Sequence, residues 1–148
     1  IGVGTGLAPL WAIARDALII HRNTHSQIHL FHLNYSTETA YYERELRDLE
    51  HQFTNFAYYP CVKKRVPQDG AICRTIPKPY NYSVTTRGVH IFRHHGGIQS
   101  VTDHIFDGCY AHCDIYLCGL EKRMTHLEEH YVSLGADPHR LFRDRFWK

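Results

Sequence analysis

The 148-residue sequence predicts one α/β domain of the Rossmann-like type, a parallel sheet of about five strands with helices on both faces. A chain of this length can bury a sizeable core within a single domain. Strand patterns alternate with helix patterns along it, which is typical of parallel strands joined by crossover helices. Small or polar segments follow three strand patterns, at 4–9, 34–37 and 118–119. Such segments meet at the C-terminal edge of a parallel sheet, where ligands bind.

The first element is a glycine-rich turn within Ile1-Gly-Val-Gly-Thr-Gly-Leu-Ala-Pro-Leu-Trp11. Glycine lets a ligand approach the backbone closely, and Pro9 favours the start of a helix. A glycine turn that leads directly into a helix leaves free N–H groups and the positive end of the helix dipole at one place. We therefore expect a nucleotide pyrophosphate to bind there.

A phosphate-binding turn of this kind normally follows a buried strand. Little of that strand precedes Gly4, and the first residue is Ile rather than Met. We therefore expect this chain to be the C-terminal part of a longer polypeptide, with the first strand largely missing.

Hydrophobic periodicity predicts the remaining elements. In chain order they are a helix at 9–20, a strand at 28–33, an amphipathic helix at 39–53, a strand at 55–62, a short helix at 98–106, a strand at 114–119, a helix that contains 124–134 and a strand at 140–147. Thr37 or Thr39 can cap the second helix. Segment 72–82 is expected to be a loop, whereas 83–92 is either an irregular strand or the edge of a loop. Gly135 is expected to end the last helix.

The composition excludes several classes of protein. A net charge of +2 gives no strong attraction to nucleic acid or to a membrane surface. No apolar run approaches the ~18 residues that a membrane span requires. The five cysteines are odd in number and form no dense framework, which favours a reducing compartment. We expect a cytoplasmic protein with no membrane span and no nucleic-acid partner.

Histidine and cysteine are common zinc ligands, and His104, Cys109, His112 and Cys113 are close in the sequence. No CxxC pair accompanies them, so the spacing typical of zinc sites is incomplete. We therefore expect no metal site. A cysteine nucleophile with a histidine base would be another class of enzyme, which the glycine turn and the order of elements disfavour.

Three segments resemble the NAD(P)-binding half of the ferredoxin–NADP reductase family. Gly4-Thr-Gly-Leu-Ala-Pro9 is similar to that family's G-T-G-[IL]-A-P turn. Asp114-Ile-Tyr-Leu-Cys-Gly119 is similar to its Y-x-C-G strand end, and Gly97-Ile-Gln-Ser-Val-Thr-Asp103 resembles its G-x-V-T-D helix start. Together these segments extend over most of the chain.

The resemblance implies the NADPH- or NADH-binding domain of a flavoprotein reductase. In that family an upstream β-barrel of the same polypeptide holds FAD or FMN, which takes hydride from the nicotinamide. Electrons then pass to a ferredoxin or other iron–sulfur protein, a haem protein or an oxygenase. The segment Leu120-Glu-Lys-Arg-Met124 lacks the proline usual in the family. This departure would suit the alternative, a non-catalytic nucleotide-binding or regulatory module with the same fold.

The resemblance also implies site residues. The expected cofactor-binding residues are Gly4, Thr5, Gly6, Leu7, Ala8, Pro9, Asn34, Ser36, Thr37, Lys63, Lys64, Gly119, Leu120 and Met124. Cys118 is the expected catalytic residue, beside the nicotinamide, where it would shape the geometry of hydride transfer. Phe146 or Trp147 either packs on the flavin or the nicotinamide or belongs to a strand that closes the core.

Two of these assignments have an alternative. Ser36 and Thr37 either bind the adenosine ribose or cap a helix. Lys63, Lys64 and Arg65 form either a solvated surface cluster or a site for the 2′-phosphate of NADPH.

Overall fold

A seven-stranded sheet forms the centre of the computed structural model, which describes residues 1–34, 41–62, 81–86, 89–95 and 98–146. The strands are β1 (Gly2–Val3), β2 (Ile28–Asn34), β3 (Phe56–Val62), β4 (Asn81–Thr86), β5 (Val89–His95), β6 (Ile115–Leu120) and β7 (Leu141–Phe146). The helices are α1 (Leu7–Arg15), α2 (Glu43–Gln52), α3 (Ile98–Phe106) and α4 (Glu121–Ser133).

Five of the strands form the parallel sheet that the sequence predicts. The order across the sheet is β5-β4-β3-β2-β1-β6-β7, and the part from β3 to β7 is parallel throughout. From β1 the chain moves outward through β2 and β3, and later returns to the other side of β1 as β6 and β7. The strand order therefore reverses between β1 and β6. Sheets of this kind bind ligands outside the carboxyl ends of the strands at such a switch point.

The two faces of the sheet carry separate hydrophobic clusters, because side chains alternate along each strand. On the α1–α2 face, the buried residues are Leu7, Leu10, Ala14, Leu18, Leu30, Leu46, Leu49, Phe56, Tyr58 and Cys118. On the α3–α4 face, they are Phe31, Leu33, Tyr59, Cys61, Ile98, Val101, Tyr110, Ile115, Leu117, Met124, Leu127, Tyr131 and Ala136. Helices on both faces confirm the predicted fold class.

The central strand β1 is very short. Gly2 pairs with His32 of β2 and with Cys118 of β6, and Val3 pairs with Leu33. This pairing places the glycine turn between the ends of β2 and β6.

The helix ends follow the predicted signals. α1 continues through a turn of π-helix over Asp16–Ile20, which completes the helix predicted at 9–20. Gly135 has a φ of +89°, and the Ala136 N–H donates to the Tyr131 carbonyl at 3.0 Å. This is the hydrogen bond of a Schellman motif, so Gly135 ends α4 as predicted. The predicted start of the second helix at residue 39 is wrong over the described residues, because Tyr42 has a left-handed φ of +58° and α2 begins only at Glu43. The predicted caps, Thr37 or Thr39, lie outside the described residues.

An antiparallel pair extends the sheet beyond β3. β4 pairs with β3 and with β5, which shows that the segment 83–92 is two strand pieces rather than the edge of a loop. Most of the predicted loop at 72–82 lies outside the described residues. Among the helices that are described, none is long and apolar enough to cross a membrane.

Candidate functional site

The glycine turn, Gly4–Gly6, forms one turn of 3₁₀-helix between the end of β1 and the start of α1. Gly4 has a φ of +55°, a left-handed conformation that favours glycine, and no atom lies within 4 Å of the place where its Cβ would be. By the geometry of a helix start, the first N–H groups of the turn have no partner within the helix. The turn therefore offers backbone donors and open space at the same position.

Gly6 permits the close contact between the turn and β6. A Cβ at this position would collide with the carbonyl oxygen of Cys118 and would lie 2.6 Å from its carbonyl carbon. Any other residue would therefore push the turn away from the end of β6. Gly119 has a similar role on β6, since its Cβ would lie 2.9 Å from Val3 Cβ.

The carbonyl of Gly4 is held by two side chains. The Tyr41 hydroxyl donates to it at 2.9 Å, and His32 Nε2 lies 3.3 Å away. Burial lowers the pKa of His32 to about 4, so its imidazole is neutral at pH 7. A carbonyl only accepts, so Nε2 carries the proton, and Nδ1 then accepts from the Tyr58 hydroxyl at 3.3 Å. A buried chain of hydrogen bonds thus holds the turn in place.

The sequence analysis did not predict that His32 and Tyr41 hold the glycine turn. The signal was a histidine inside the apolar strand pattern 28–33, which only the pairing of Gly2 with His32 places beneath the turn. Tyr41 and Tyr42 lie beside it, and the Tyr42 ring stacks on Trp11 with centroids 6.0 Å apart. Burial raises the pKa of the Tyr41 hydroxyl, with a smaller opposite effect from the backbone of Leu7 and Ala8 at the start of α1.

Asn34 ends β2 next to the turn. It is 4% exposed, and its buried Nδ2 has no hydrogen-bond partner among the described residues. Val3 pairs with Leu33, so Asn34 is the next residue along β2 beside Gly4. Buried amide donors are almost always paired in native proteins. The Asn34 amide is therefore a candidate donor to a ligand that binds at the turn.

Cys118 is buried at the end of β6, with 1% of its surface exposed. Burial raises the pKa of its thiol to about 11, and the carboxylate of Asp144 adds to the rise. The thiol is therefore protonated at neutral pH. A neutral, buried thiol can shape a binding surface but is a poor nucleophile.

The structure brings three predicted segments together at the switch point, namely Gly4–Pro9, Asn34 and Cys118–Leu120. Leu7 and Met124 are fully buried, so they can shape the site only from beneath its surface, whereas Leu120 is 62% exposed. The predicted residues Ser36, Thr37, Lys63, Lys64 and Trp147 and the side chain of Phe146 lie outside the described part.

Metal binding is a separate question, since the sequence contains 13 histidines and five cysteines. Within the described ranges, no group of three or more His, Cys, Asp or Glu side chains is arranged to hold a metal ion.

A comparison with known protein families points to the same part of the chain as a nucleotide-binding region. The model of the oxidoreductase NAD-binding domain family matches residues 1–76, half of the 148-residue chain. The matched part contains the glycine turn, His32 and Asn34. No curated protein sequence matches the chain. The chain therefore belongs to the oxidoreductase NAD-binding domain family, the C-terminal domain of ferredoxin–NADP reductase-like proteins.

Proposed function

We propose that this chain is the NAD(P)H-binding half of a flavoprotein reductase. In this proposal an upstream domain of the same polypeptide holds FAD or FMN, and electrons pass on to an iron–sulfur, haem or oxygenase partner. The observation that carries the proposal is the glycine turn at the switch point of the sheet, beside the Asn34 amide, whose Nδ2 has no partner among the described residues. Family membership supports the nicotinamide cofactor.

The residues at the turn fit a dinucleotide. The backbone of Gly4, Thr5 and Gly6, together with the start of α1 at Leu7–Pro9, would hold the pyrophosphate, because this backbone has open space at Gly4. The Asn34 amide would donate to an oxygen of the ribose or phosphate, which would satisfy its buried Nδ2. Ser36 and Thr37, with Lys63 and Lys64, are proposed to contact the adenosine ribose and the 2′-phosphate of NADPH.

The end of β6 would set the position of the nicotinamide. When bound, NAD(P)H supplies the hydride, and the protein supplies orientation. Gly6 and Gly119 bring the backbone of the turn and of β6 into contact, so Cys118 lies at a fixed distance from the turn. Its neutral thiol would shape the nicotinamide side of the site without forming a bond. Phe146 or Trp147 is proposed to lie near the flavin.

The test is anaerobic reduction of the full-length polypeptide. Purified protein should contain flavin, and NADPH or NADH should bleach the flavin absorbance within the mixing time. NADPH is expected to be the better donor if Lys63 and Lys64 bind the 2′-phosphate. A Gly6→Val variant, in which the turn cannot pack on Cys118, should retain flavin and lose rapid bleaching.

Two results would contradict the proposal. Nucleotide binding without bleaching by either cofactor would make the chain a non-catalytic nucleotide-binding module. Absence of nucleotide binding would remove the proposed role of the turn altogether.

A further inference from the structure

Two cysteines lie on the turn that joins α3 to β6, residues 107–114. Cys109 is exposed and Cys113 is partly buried. The turn leads into β6 at Ile115, so it lies at the opposite end of this strand from Cys118 and the nucleotide site. Two thiols on one short surface segment can react with each other if the fold of that segment brings them together.

Hydrogen bonds fold this turn so that the two cysteines approach each other. The Cys109 N–H donates to the Phe106 carbonyl at 2.9 Å, and the Cys113 N–H donates to the Tyr110 carbonyl at 3.0 Å. The Cys113 thiol then donates to the Cys109 carbonyl, with 4.0 Å between sulfur and oxygen. The Cys113 sulfur is therefore close to the backbone of Cys109. Rotation of the Cys109 side chain can bring its own sulfur toward that of Cys113.

Both ends of the segment between the cysteines are attached to the rest of the domain. Tyr110 is 3% exposed, and its hydroxyl donates to Asp103 Oδ1 at 2.6 Å. Next to Cys113, Asp114 Oδ1 accepts from Arg140 Nε at 2.8 Å. These attachments keep the two cysteines near each other, which gives each thiol a high effective concentration at the other.

The surroundings of the two thiols suit different steps of a reaction. Cys109 is exposed, so a dissolved reagent reaches it first. Burial raises the pKa of the Cys113 thiol, negative charge on Cys109 raises it further, and the Arg140 guanidinium acts in the opposite direction. Once the Cys109 sulfur has formed a bond to a reagent, its negative charge is gone. The Cys113 thiol then ionises more readily, at the point where it is needed as the second nucleophile.

We propose that Cys109 and Cys113 form a modification site, at which a low-molecular-weight disulfide oxidises the two thiols to an intramolecular disulfide. The Cys109 thiolate attacks one sulfur of the reagent and displaces the other as a thiolate, which takes up a proton. Cys113 loses its proton to water, and its thiolate attacks the Cys109 sulfur and displaces the second half of the reagent. Two protein thiols are thereby oxidised, and the reagent is reduced to two thiols. The proposal is independent of the nucleotide site.

The test treats the reduced 148-residue chain with oxidised glutathione and maps its cysteines by mass spectrometry. The unsubstituted chain should form the Cys109–Cys113 disulfide, with a glutathione adduct on less than about a tenth of the molecules, because the neighbouring thiol displaces it. Cys113→Ser should stop at the adduct on Cys109. Cys109→Ser should slow the reaction of Cys113 at least about tenfold, since the exposed thiol is lost. Buried Cys118 should stay unmodified in every variant, which verifies that each is folded.

Three results would overturn the proposal. Equal amounts of the glutathione adduct on Cys109 in the unsubstituted chain and in Cys113→Ser would show that Cys113 does not reach it. A disulfide from Cys109 to a cysteine other than Cys113, in the same chain or in a second copy, would show that the pair is wrong. Absence of any reaction at Cys109 would show that the turn is not a modification site.

Discussion

The two edges of the sheet differ although the same three strands, β1, β2 and β6, form both. At the C-terminal edge the backbones are in close contact, since Gly6 touches the Cys118 carbonyl and Gly119 touches Val3. Buried polar groups lie there, namely His32, the Tyr58 hydroxyl and the Asn34 amide. At the N-terminal edge an apolar groove separates β2 from β6, and residues 28–30 and 115–116 are part of its lining. One edge is therefore preorganised for a polar ligand, whereas the other is open and largely apolar.

The largest effect is expected at Gly6. Gly6→Ala places a methyl group on the carbonyl of Cys118, where neither backbone can move freely, and should destabilise the domain by about 3 kcal/mol or more. Gly4→Ala is the matched control, because its Cβ meets open space and only the positive φ is strained, at about 1 kcal/mol. Urea denaturation measures both. Equal losses of stability would show that the close contact at Gly6 is not required.

The pH dependence of the stability should differ between the two edges, because His32 lies at one edge and His29 at the other. Burial lowers the pKa of His32 to about 4 from 6.5, so the unfolded chain takes up a proton in this range and the folded chain does not. The stability that neutral His32 confers is complete above pH 6.5 and is lost as the pH falls toward 4. The loss should reach about 3 kcal/mol.

His32→Gln should flatten the stability profile between pH 4 and 6.5. Burial also lowers the pKa of His29, which lines the groove, so His29→Gln is the comparison and should flatten the profile less. Chemical denaturation at a series of pH values measures this. A profile that His32→Gln leaves as steep as before would contradict the buried neutral imidazole.

Asn34→Leu should change stability and binding in opposite directions. The buried Nδ2 has no partner in the described structure, so an apolar side chain of similar size should stabilise the free domain by about 1 kcal/mol. The same change removes a donor to the nucleotide and should weaken NAD(P)H binding by about tenfold. Thermal unfolding and titration calorimetry test the pair of effects. A loss of stability with unchanged affinity would give Asn34 a structural role instead.

The last prediction concerns how readily two cysteine thiols react with a labelling reagent. Cys118 is 1% exposed with its pKa raised to about 11, whereas Cys109 is exposed. A maleimide should label Cys109 in the native protein and leave Cys118 unlabelled until urea unfolds the chain. Mass spectrometry of the labelled peptides shows which cysteine is labelled first. Rapid native labelling of Cys118 would show that the end of β6 is open.

Much of this fold could be predicted from local patterns. The helices at 98–106 and around Met124, the strand at 114–119 and the end of α4 at Gly135 all follow from periodicity and glycine placement. The β4–β5 pair could not, because a short β-branched segment is equally compatible with a strand or a loop. The strand that this pair joins, β3, contacts it through β4 and is distant in the sequence.

The candidate site could also be predicted only where it depends on local patterns. The glycine turn and Asn34 follow directly from strand ends that the sequence marks. The hydrogen bonds from His32 and Tyr41 to Gly4 depend on how β1 pairs with β2, and that register is not encoded near any one of the three residues.

The most direct test of the account is an NMR titration of the ¹⁵N-labelled chain with NADPH and with NADH. The account predicts chemical-shift changes in the backbone amides of Gly4, Thr5, Gly6 and Gly119 and in the side-chain amide of Asn34, with the groove amides of 28–30 and 115–116 unaffected. Shift changes confined to the groove, or none at the turn at saturating nucleotide, would contradict it.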